Sequence, residues 1–272
     1  MEECASYPDL HSKVALVMGI GQTASDDPSA WGNGAAIALR LSQNHAIVFG
    51  CDLDLTAAEY TKSGLPGPCT VMAADVTSAS DVSKVVDACV SMYGRIDILV
   101  NNVGRASPGE AVSMSQKGWE TQLRINLGSI YLACQTVIPI MRAQGYGSIV
   151  NNASDAAVGY LRRPQIGYSA AKAAVIHFTR AMAAIFAKDG VRLNCVVPGS
   201  ISMSMVKERT HSRDDAIRDI AGKTTQLSPF IGQLGYPFDV ADAVVFLASA
   251  AAKCITGHSL VVDDGLTVPT GT

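Results

Sequence analysis

A tyrosine and a lysine at a four-residue spacing could act together in acid–base chemistry. Tyr168 and Lys172 open an Ala-rich segment, 169–188, whose composition is typical of a helix. Side chains at positions i and i+4 lie on the same face of a helix. A nearby ammonium group favours the phenolate and lowers the pKa of a tyrosine from its usual value of about 10. The pair therefore predicts a general acid or base that works near neutral pH.

A serine and an asparagine precede this pair in the chain and could complete a catalytic group. Ser154 follows the apolar run of residues 148–152, and Asn126 lies in the sequence Arg-Ile-Asn-Leu. A serine hydroxyl can donate a hydrogen bond to an oxygen that gains negative charge during a reaction. The Tyr-x-x-x-Lys spacing alone occurs on many amphipathic helices, but together with these residues it indicates a catalytic site.

Glycines between the first predicted strand and the next helix indicate a phosphate-binding loop. Gly19 and Gly21 follow the strand, and Asn33 and Gly34 open the helix. Glycines let the backbone approach a diphosphate, and the helix N-terminus stabilises its charge. Compared with a Gly-x-x-x-Gly-x-Gly loop, the segment between Gly19 and Gly32 is nine residues longer. An ordinary Gly-containing turn is therefore the alternative interpretation.

The additional residues, 22–30, are expected to form an exposed loop beside the phosphate site. Asp26 and Asp27 would repel a phosphate, so we expect them to point outward. Trp31 follows the insert, either as a lid or as a hydrophobic plug. Lengthening a surface loop adds little to the entropy cost of closing it, so the insert is compatible with a folded domain.

An aspartate after the second predicted strand could select the cofactor. Asp52, followed by Leu53, lies where a carboxylate can accept hydrogen bonds from both hydroxyls of an adenosine ribose. Between Gly19 and Asp54 the chain has no Lys and one Arg, Arg40, which lies inside a predicted helix. The basic partner that a 2′-phosphate needs is therefore absent locally, which favours NAD over NADP. The alternative for Asp52 is a turn or helix cap, a role that Asp54 could fill.

Seven apolar, strand-like segments alternate with helical segments and must position these residues. The strand-like segments are 13–18, 46–51, 70–73, 96–100, 148–152, 191–197 and 259–262, and the helical segments include 35–43, 80–92 and 169–188. Near-continuous apolar strands separated by helices indicate βαβ units and a parallel sheet covered on both faces. We therefore predict a single doubly wound α/β domain over residues 13–272, preceded by an N-terminal extension over residues 1–12.

The composition excludes several other classes of protein. Of the 272 residues, 48% are hydrophobic and 17% charged, which is enough apolar mass for a large core. The net charge of −3 is not that of a general nucleic-acid binder. No apolar run approaches the roughly 20 residues that span a membrane. The five histidines are dispersed, so no metal site is predicted. The seven cysteines are scattered, which favours a reducing cytoplasm over a disulfide framework.

In their order along the chain, these motifs resemble those of the short-chain dehydrogenase/reductase family, from about residue 13 to residue 265. The resemblance implies a seven-stranded Rossmann fold, a catalytic tetrad and a set of cofactor-binding residues. The tetrad comprises Asn126, Ser154, Tyr168 and Lys172. The cofactor-binding set comprises Gly19, Gly21, Asn33, Gly34, Asp52, Leu53, Asp75, Val76, Asn102, Val103, Gly104, Tyr168, Lys172, Pro198, Gly199 and Ile201.

The resemblance also implies a role for each member of the tetrad. Tyr168 would take a proton from an alcohol or give one to a ketone. Lys172 would lower the pKa of Tyr168 and hold the nicotinamide ribose. Ser154 would donate a hydrogen bond to the substrate oxygen, and Asn126 would hold a water that relays protons between Lys172 and solvent.

The chain departs from the family pattern at several positions besides the insert. Ser154 lies 14 residues before Tyr168, one more than the commonest family spacing. Spacing alone would therefore select Asp155 as the serine equivalent, whereas alignment by strand selects Ser154. Met203 replaces a threonine that bonds the nicotinamide amide in the family, and Asp264 occupies a position usually held by glycine. None of these changes removes a tetrad residue.

The resulting prediction is an NAD-dependent oxidoreductase that interconverts a secondary alcohol and a ketone on a mid-sized, partly apolar small molecule. Residues 200–235 would form a substrate lid, and Arg105, Arg162 and Arg163 would flank the mouth of the pocket. The alternatives are an NADPH-dependent biosynthetic ketoreductase and a non-redox protein that uses the same pocket for binding. Small residues on several faces of the 169–188 helix predict a homodimer or homotetramer.

Overall fold

Seven parallel strands form one sheet in the computed structural model, which describes residues 4–23, 31–159, 164–201 and 235–268. The strands are β1 (Val14–Met18), β2 (Ile47–Asp52), β3 (Cys69–Ala73), β4 (Ile98–Asn101), β5 (Gly147–Asn152), β6 (Val191–Pro198) and β7 (Ser259–Val262). Their order is β3-β2-β1-β4-β5-β6-β7. The chain therefore turns outward in both directions from β1 and β4, which confirms the doubly wound prediction and places a cleft at that reversal.

Helices cover both faces of the sheet. Among the described residues the longer ones are α1 (Asn33–Gln43), α2 (Leu55–Ser63), α3 (Ala79–Tyr93), α4 (Gln116–Leu123), α5 (Ser129–Gln144), α6 (Ile166–Phe186) and α7 (Pro237–Ala248). Alternate residues of β1 face opposite sides of the sheet. Leu16 packs in the core with α3, α5 and α6, whereas Ala15 and Val17 pack with α1 and α7. The central strands are thus buried from both sides, whereas the edge strands β3 and β7 are only partly buried.

Helix α6 begins earlier than its Ala-rich composition predicts. It starts at Ile166 rather than at residue 169, because the backbone N–H of Ser169 already bonds to the carbonyl of Gln165. Tyr168 therefore lies within the first turn of the helix, and Lys172 follows one turn later. This places both side chains beside the carboxyl ends of β5 and β6.

The N-terminal segment from residue 4 packs against the domain. Leu10 is fully buried, and a side-chain oxygen of Asp9 accepts the Ala250 N–H at 2.7 Å. The ring centroids of Trp31 and of Phe238 on α7 lie 5.1 Å apart. This packing favours the plug over the lid. Most of the predicted insert (24–30) and nearly all of the predicted lid (202–234), with Met203, lie outside the described residues, as do Arg162 and Arg163.

Two helical stretches have the length and hydropathy of a membrane span. They are residues Gln116–Gln144, which include α4 and α5, and Ile166–Asp189, which include α6. Their windows are 39% and 28% buried, and both helices pack on the sheet described above. Core helices of soluble proteins pass the same test, so this is weak evidence for a membrane location.

A histidine follows α1 in a backbone conformation that suits glycine. His45 has φ of +61° and is exposed, and the N–H of Ala46 bonds to the Leu41 carbonyl behind it. Left-handed backbone costs a residue with a Cβ about 1 kcal/mol, and glycine is the usual residue at this position after a helix. We expect His45→Gly to raise the melting temperature by a few degrees in calorimetry. His45→Ala, which keeps the Cβ, should give no gain, and an equal gain in both variants would contradict the backbone explanation.

Candidate active site

A cleft of about 640 Å³ opens at the carboxyl ends of the central strands. It is lined by every residue of the predicted cofactor-binding set, from Gly19 after β1 to Ile201 after β6. Ser154 lines it as well, whereas Asp155 is not among the lining residues. The structure also adds residues that the sequence motifs did not indicate: Gln22, Thr23, Ala57, Thr77, Arg124, Ile125 and Asn152.

The glycine loop forms a narrow cradle at the N-terminus of α1. Gly19 has φ of +87°, and a Cβ on Gly34 would collide with the Gly19 carbonyl oxygen. Gln22 fixes the end of the insert, since its Oε1 accepts the Gly32 N–H at 2.6 Å. Within the described part of the chain no side chain caps α1, and its first residues, Asn33 and Gly34, line the cleft. These features fit the diphosphate of a dinucleotide, which needs close backbone approach and free N–H donors.

Asp52 lies against the glycine loop and borders the cleft. Its Oδ2 accepts the Gly21 N–H at 2.8 Å, and a Cβ on Gly21 would lie 2.7 Å from the Asp52 carboxyl carbon. Asp54, two residues later, caps α2 by accepting the N–H groups of Thr56 and Ala57, so Asp52 is not needed as a cap. The carboxylate retains lone pairs that can accept hydrogen bonds from a ribose.

The cleft continues past β3 to a polar corner. Asp75 Oδ1 accepts hydrogen bonds from the backbone N–H and the hydroxyl of Thr77. Arg124, at the start of a π-helical turn, donates from Nη1 to the same hydroxyl at 3.1 Å. Val76 lines the cleft between them. This corner offers an apolar contact and hydrogen-bonding groups at one end of the cleft.

A ladder of hydrogen bonds joins the glycine loop to Lys172. Asn102 donates from Nδ2 to the Gly19 carbonyl at 2.9 Å, and Asn152 donates from Nδ2 to the Asn102 Oδ1 at 2.9 Å. Lys172 donates from Nζ to the Asn152 carbonyl. These hydrogen bonds hold the carboxyl ends of β1, β4 and β5 in fixed positions relative to one another. Asn152 has no sequence signal other than its place at the end of a strand, and this explains why motif reasoning missed it.

Burial controls the ionisation of the Tyr168 and Lys172 pair. Burial raises the pKa of Tyr168 above its usual value of 10, and a hydrogen bond from Ser154 to the phenolate form acts in the opposite sense. The Lys172 Nζ lies 5.7 Å from the centre of the Tyr168 ring and is bonded elsewhere. Burial therefore outweighs the lowering of the tyrosine pKa that the spacing to Lys172 predicts. Burial also lowers the pKa of Lys172 from 10.5 to about 8.

Asn126 lies behind the cleft wall rather than in it. The residue is fully buried in the π-helical turn Arg124–Gly128. Its Oδ1 accepts the Arg105 N–H at 2.9 Å, and its Nδ2 donates to the carbonyls of Arg105 and Gln122. A Cβ on Gly104 would lie 3.0 Å from the Lys172 Nζ and 3.1 Å from the Asn126 Oδ1. The asparagine thus holds the loop that covers the lysine, and its proton-relay role remains a prediction.

Comparison with known proteins supports the same interpretation. A family model described as enoyl-(acyl carrier protein) reductase matches residues 29–267. The chain is 37% identical over 262 residues to D-threitol dehydrogenase of Mycolicibacterium smegmatis, covering 95% of this chain and 94% of the relative. It is 30% identical over 260 residues to NAD-dependent glycerol dehydrogenase of Listeria innocua, covering 96% of each.

The fold is similar to that of a solved relative. The crystal structure of a putative short-chain dehydrogenase/reductase from Burkholderia xenovorans superimposes with a TM-score of 0.91 at 37% identity, covering 97% of this chain and 99% of that one. Both relatives named above are dehydrogenases, and other similar proteins are reductases. With the sheet order, the cleft and these matches in agreement, the chain is an alcohol/ketone oxidoreductase and belongs to the short-chain dehydrogenase/reductase family.

Proposed function

We propose that the protein oxidises a secondary alcohol to a ketone, or catalyses the reverse reduction, with NAD as its cofactor. The observation that carries this proposal is the convergence of Tyr168, Lys172 and Ser154 at one end of a cleft whose other end holds Asp52. A protein that only bound nucleotide would have no need for the first three residues. The bound nicotinamide supplies or accepts the hydride.

Each catalytic side chain would act on the substrate oxygen or on its proton. Tyr168 gives a proton to the oxygen of a ketone, or accepts one from an alcohol. Ser154 donates a hydrogen bond to the same oxygen and stabilises its negative charge. Lys172, with its Nζ held by the Asn152 carbonyl, supplies a positive charge near the tyrosine. With a pKa of about 8, the lysine is mostly protonated at neutral pH.

The preference for NAD rests on the charges near Asp52. The basic side chains that line the cleft, within the part of the chain that the structure describes, are Arg105, Arg124 and Lys172. Lys172 bonds to the Asn152 carbonyl and Arg124 to Thr77, so neither neutralises Asp52. A 2′-phosphate beside this carboxylate would be repelled by on the order of 1 kcal/mol per charge pair at water-like dielectric.

We expect the wild-type protein to bind NAD at least about tenfold more tightly than NADP, which corresponds to about 1.4 kcal/mol. Asp52→Ala should erode this preference, because the repulsion of the 2′-phosphate and the hydrogen bonds to the ribose are lost together. Titration calorimetry with both oxidised cofactors measures the ratio. Asp87→Asn, an exposed change of equal charge on α3, serves as the control. Tighter binding of NADP by the wild type would overturn the assignment and favour a biosynthetic reductase.

We also propose a mid-sized, partly apolar substrate. The catalytic end of the cleft is bordered by Val103, Ala153 and Ile201, and Arg105 offers one cationic group. A panel of cyclohexanol, 4-phenyl-2-butanol, D-threitol and glycerol, each with NAD, separates apolar alcohols from the polyols that relatives use. The proposal expects the highest kcat/KM with one of the first two alcohols. A preference for the polyols would correct the substrate class and leave the reaction type unchanged.

We further propose a cytoplasmic homodimer or homotetramer. Helices α5 and α6 leave large side chains exposed: Tyr131 is 49% exposed and Ile185 is 55% exposed. Burying such residues against a second copy would remove apolar surface from water. Sedimentation velocity of the purified protein should give a mass of two or four chains, and a monomer at micromolar concentration would contradict the proposal.

A further inference from the structure

A buried carboxylate lies directly behind Ser154. Asp155 begins the short 3-10 helix Asp155–Ala157 and is 7% exposed. Its Oδ1 accepts the Ser154 hydroxyl at 2.9 Å and the Ala156 N–H at 2.7 Å. The catalytic scheme above gives this residue no role. A buried carboxylate in contact with a catalytic hydroxyl nevertheless changes what that hydroxyl can do.

The hydrogen bonds of Ser154 and Tyr168 have a direction that follows from their number of protons. Each hydroxyl carries one hydrogen. Since Ser154 donates its hydrogen to Asp155, the hydrogen bond between Tyr168 and Ser154 must be donated by the tyrosine. The result is a chain from the Tyr168 hydroxyl through the Ser154 hydroxyl to the Asp155 carboxylate. Ser154 can donate to a phenolate or to a substrate oxygen only after it rotates away from Asp155.

We propose that Asp155 is a positioning residue that holds the Ser154 hydroxyl in this direction and thereby keeps Tyr168 protonated to higher pH. Two effects of the carboxylate act in the same sense. It attracts the one hydrogen that Ser154 could offer to a phenolate, because a hydrogen bond to a charged acceptor is the stronger one. Its charge also disfavours a second negative charge nearby. The inference rests on the proposed roles of Tyr168 and Ser154.

The charged groups around Tyr168 are consistent with a hydroxyl that stays protonated to higher pH. The negative charge of Asp155, on the short helix, acts on Tyr168, and the Lys172 Nζ, on α6, lies 5.7 Å from the centre of its ring. Arg105 and Arg124 line the same cleft. Burial is the largest cause of the raised pKa of Tyr168, and the negative charge of Asp155 raises it further. Replacing the carboxylate by a neutral amide must therefore move the ionisation of Tyr168 to lower pH.

The test titrates Tyr168 without any substrate. For each variant, the tyrosinate absorbance is measured against pH and the same curve for its Tyr168→Phe counterpart is subtracted, which isolates the ionisation of Tyr168. In Asp155→Asn, Tyr168 should ionise at lower pH than in the wild type. Asp87→Asn makes the same charge change on the exposed face of α3. In this variant Tyr168 should ionise at the same pH as in the wild type.

Two results would overturn the inference. One is a Tyr168 titration in Asp155→Asn that superimposes on the wild-type curve, and the other is an equal shift in Asp87→Asn. If Asp155→Asn does not fold, as judged by its melting curve, Asp155→Ser provides the same test, since its hydroxyl can still accept the Ala156 N–H. Because no turnover is measured, an inactive protein with the expected shift would overturn the proposed function and still support the role of Asp155.

Discussion

Replacing Tyr168 by phenylalanine should reduce turnover by at least about 10²- to 10⁴-fold, the usual contribution of a general acid or base. The change removes one hydroxyl and keeps the ring, which is half-buried in the first turn of α6. Ser154 would keep its hydrogen bond to Asp155, but the site would have lost the hydroxyl that gives or takes the proton. The glycine cradle and Asp52 are untouched, so the dissociation constant of NAD should stay nearly unchanged.

The measurement combines steady-state kinetics with cofactor titration on the same preparation. Tyr60→Phe, which removes an exposed hydroxyl on α2, is the matched control and should retain wild-type turnover. Retention of turnover in Tyr168→Phe would rule out the tyrosine as acid or base. A loss of turnover accompanied by an equal loss of NAD affinity would instead assign it a binding role.

Lys172→Met should abolish most activity while making the protein more stable. The lysine is 2% exposed, and burial lowers its pKa from 10.5 to about 8. A difference of about 2.5 pKa units corresponds to a destabilisation of about 3 kcal/mol at neutral pH. Methionine has a similar length and no charge, but it leaves the Asn152 carbonyl unpaired, which costs about 1 kcal/mol or more. We therefore expect a net gain of about 2 kcal/mol in the free energy of unfolding.

The pH dependence of this gain provides a second test. Between pH 8 and 10.5 the unfolded lysine binds a proton that the folded one has released, so the stability of the wild type should rise with pH in this window. The advantage of Lys172→Met should accordingly be largest below pH 8 and shrink above it. Urea unfolding at several pH values measures both effects. Lys188→Met, the same substitution at an exposed position, should change neither the free energy of unfolding nor its pH dependence. A Lys172→Met protein less stable than the wild type at neutral pH would contradict this explanation.

The fold could be predicted because its determinants are local. Apolar strands such as Val14–Met18 are continuous and are bounded by glycines or polar residues, and each was predicted within two residues of its observed ends. The residues that line the cleft could be predicted because they follow strand ends in a fixed order. The order of the motifs therefore predicted that Gly19 and Ile201 lie close together, and both line the cleft although 182 positions separate them in the chain.

What the sequence could not predict depends on contacts between distant residues. The pKa of Tyr168 was expected to fall because only the spacing to Lys172 was visible, whereas burial, which no spacing reveals, dominates. Asn152 and Gln22 belong to the site because of hydrogen bonds with residues elsewhere in the chain, Asn102 and Gly32 respectively. The direction of the Ser154 hydroxyl likewise depends on a hydrogen bond that only the folded chain defines.

The central claim is that hydride passes between a carbinol carbon and NAD under the control of Tyr168. It is tested most directly by incubating the wild type and Tyr168→Phe with NAD and the best alcohol of the panel, labelled with deuterium at the carbinol carbon. We expect the wild type to form reduced cofactor that carries one deuterium on a single face of C4, and Tyr168→Phe to form almost none. Ketone formation without deuterium in the cofactor, or equal labelling by both proteins, would contradict it.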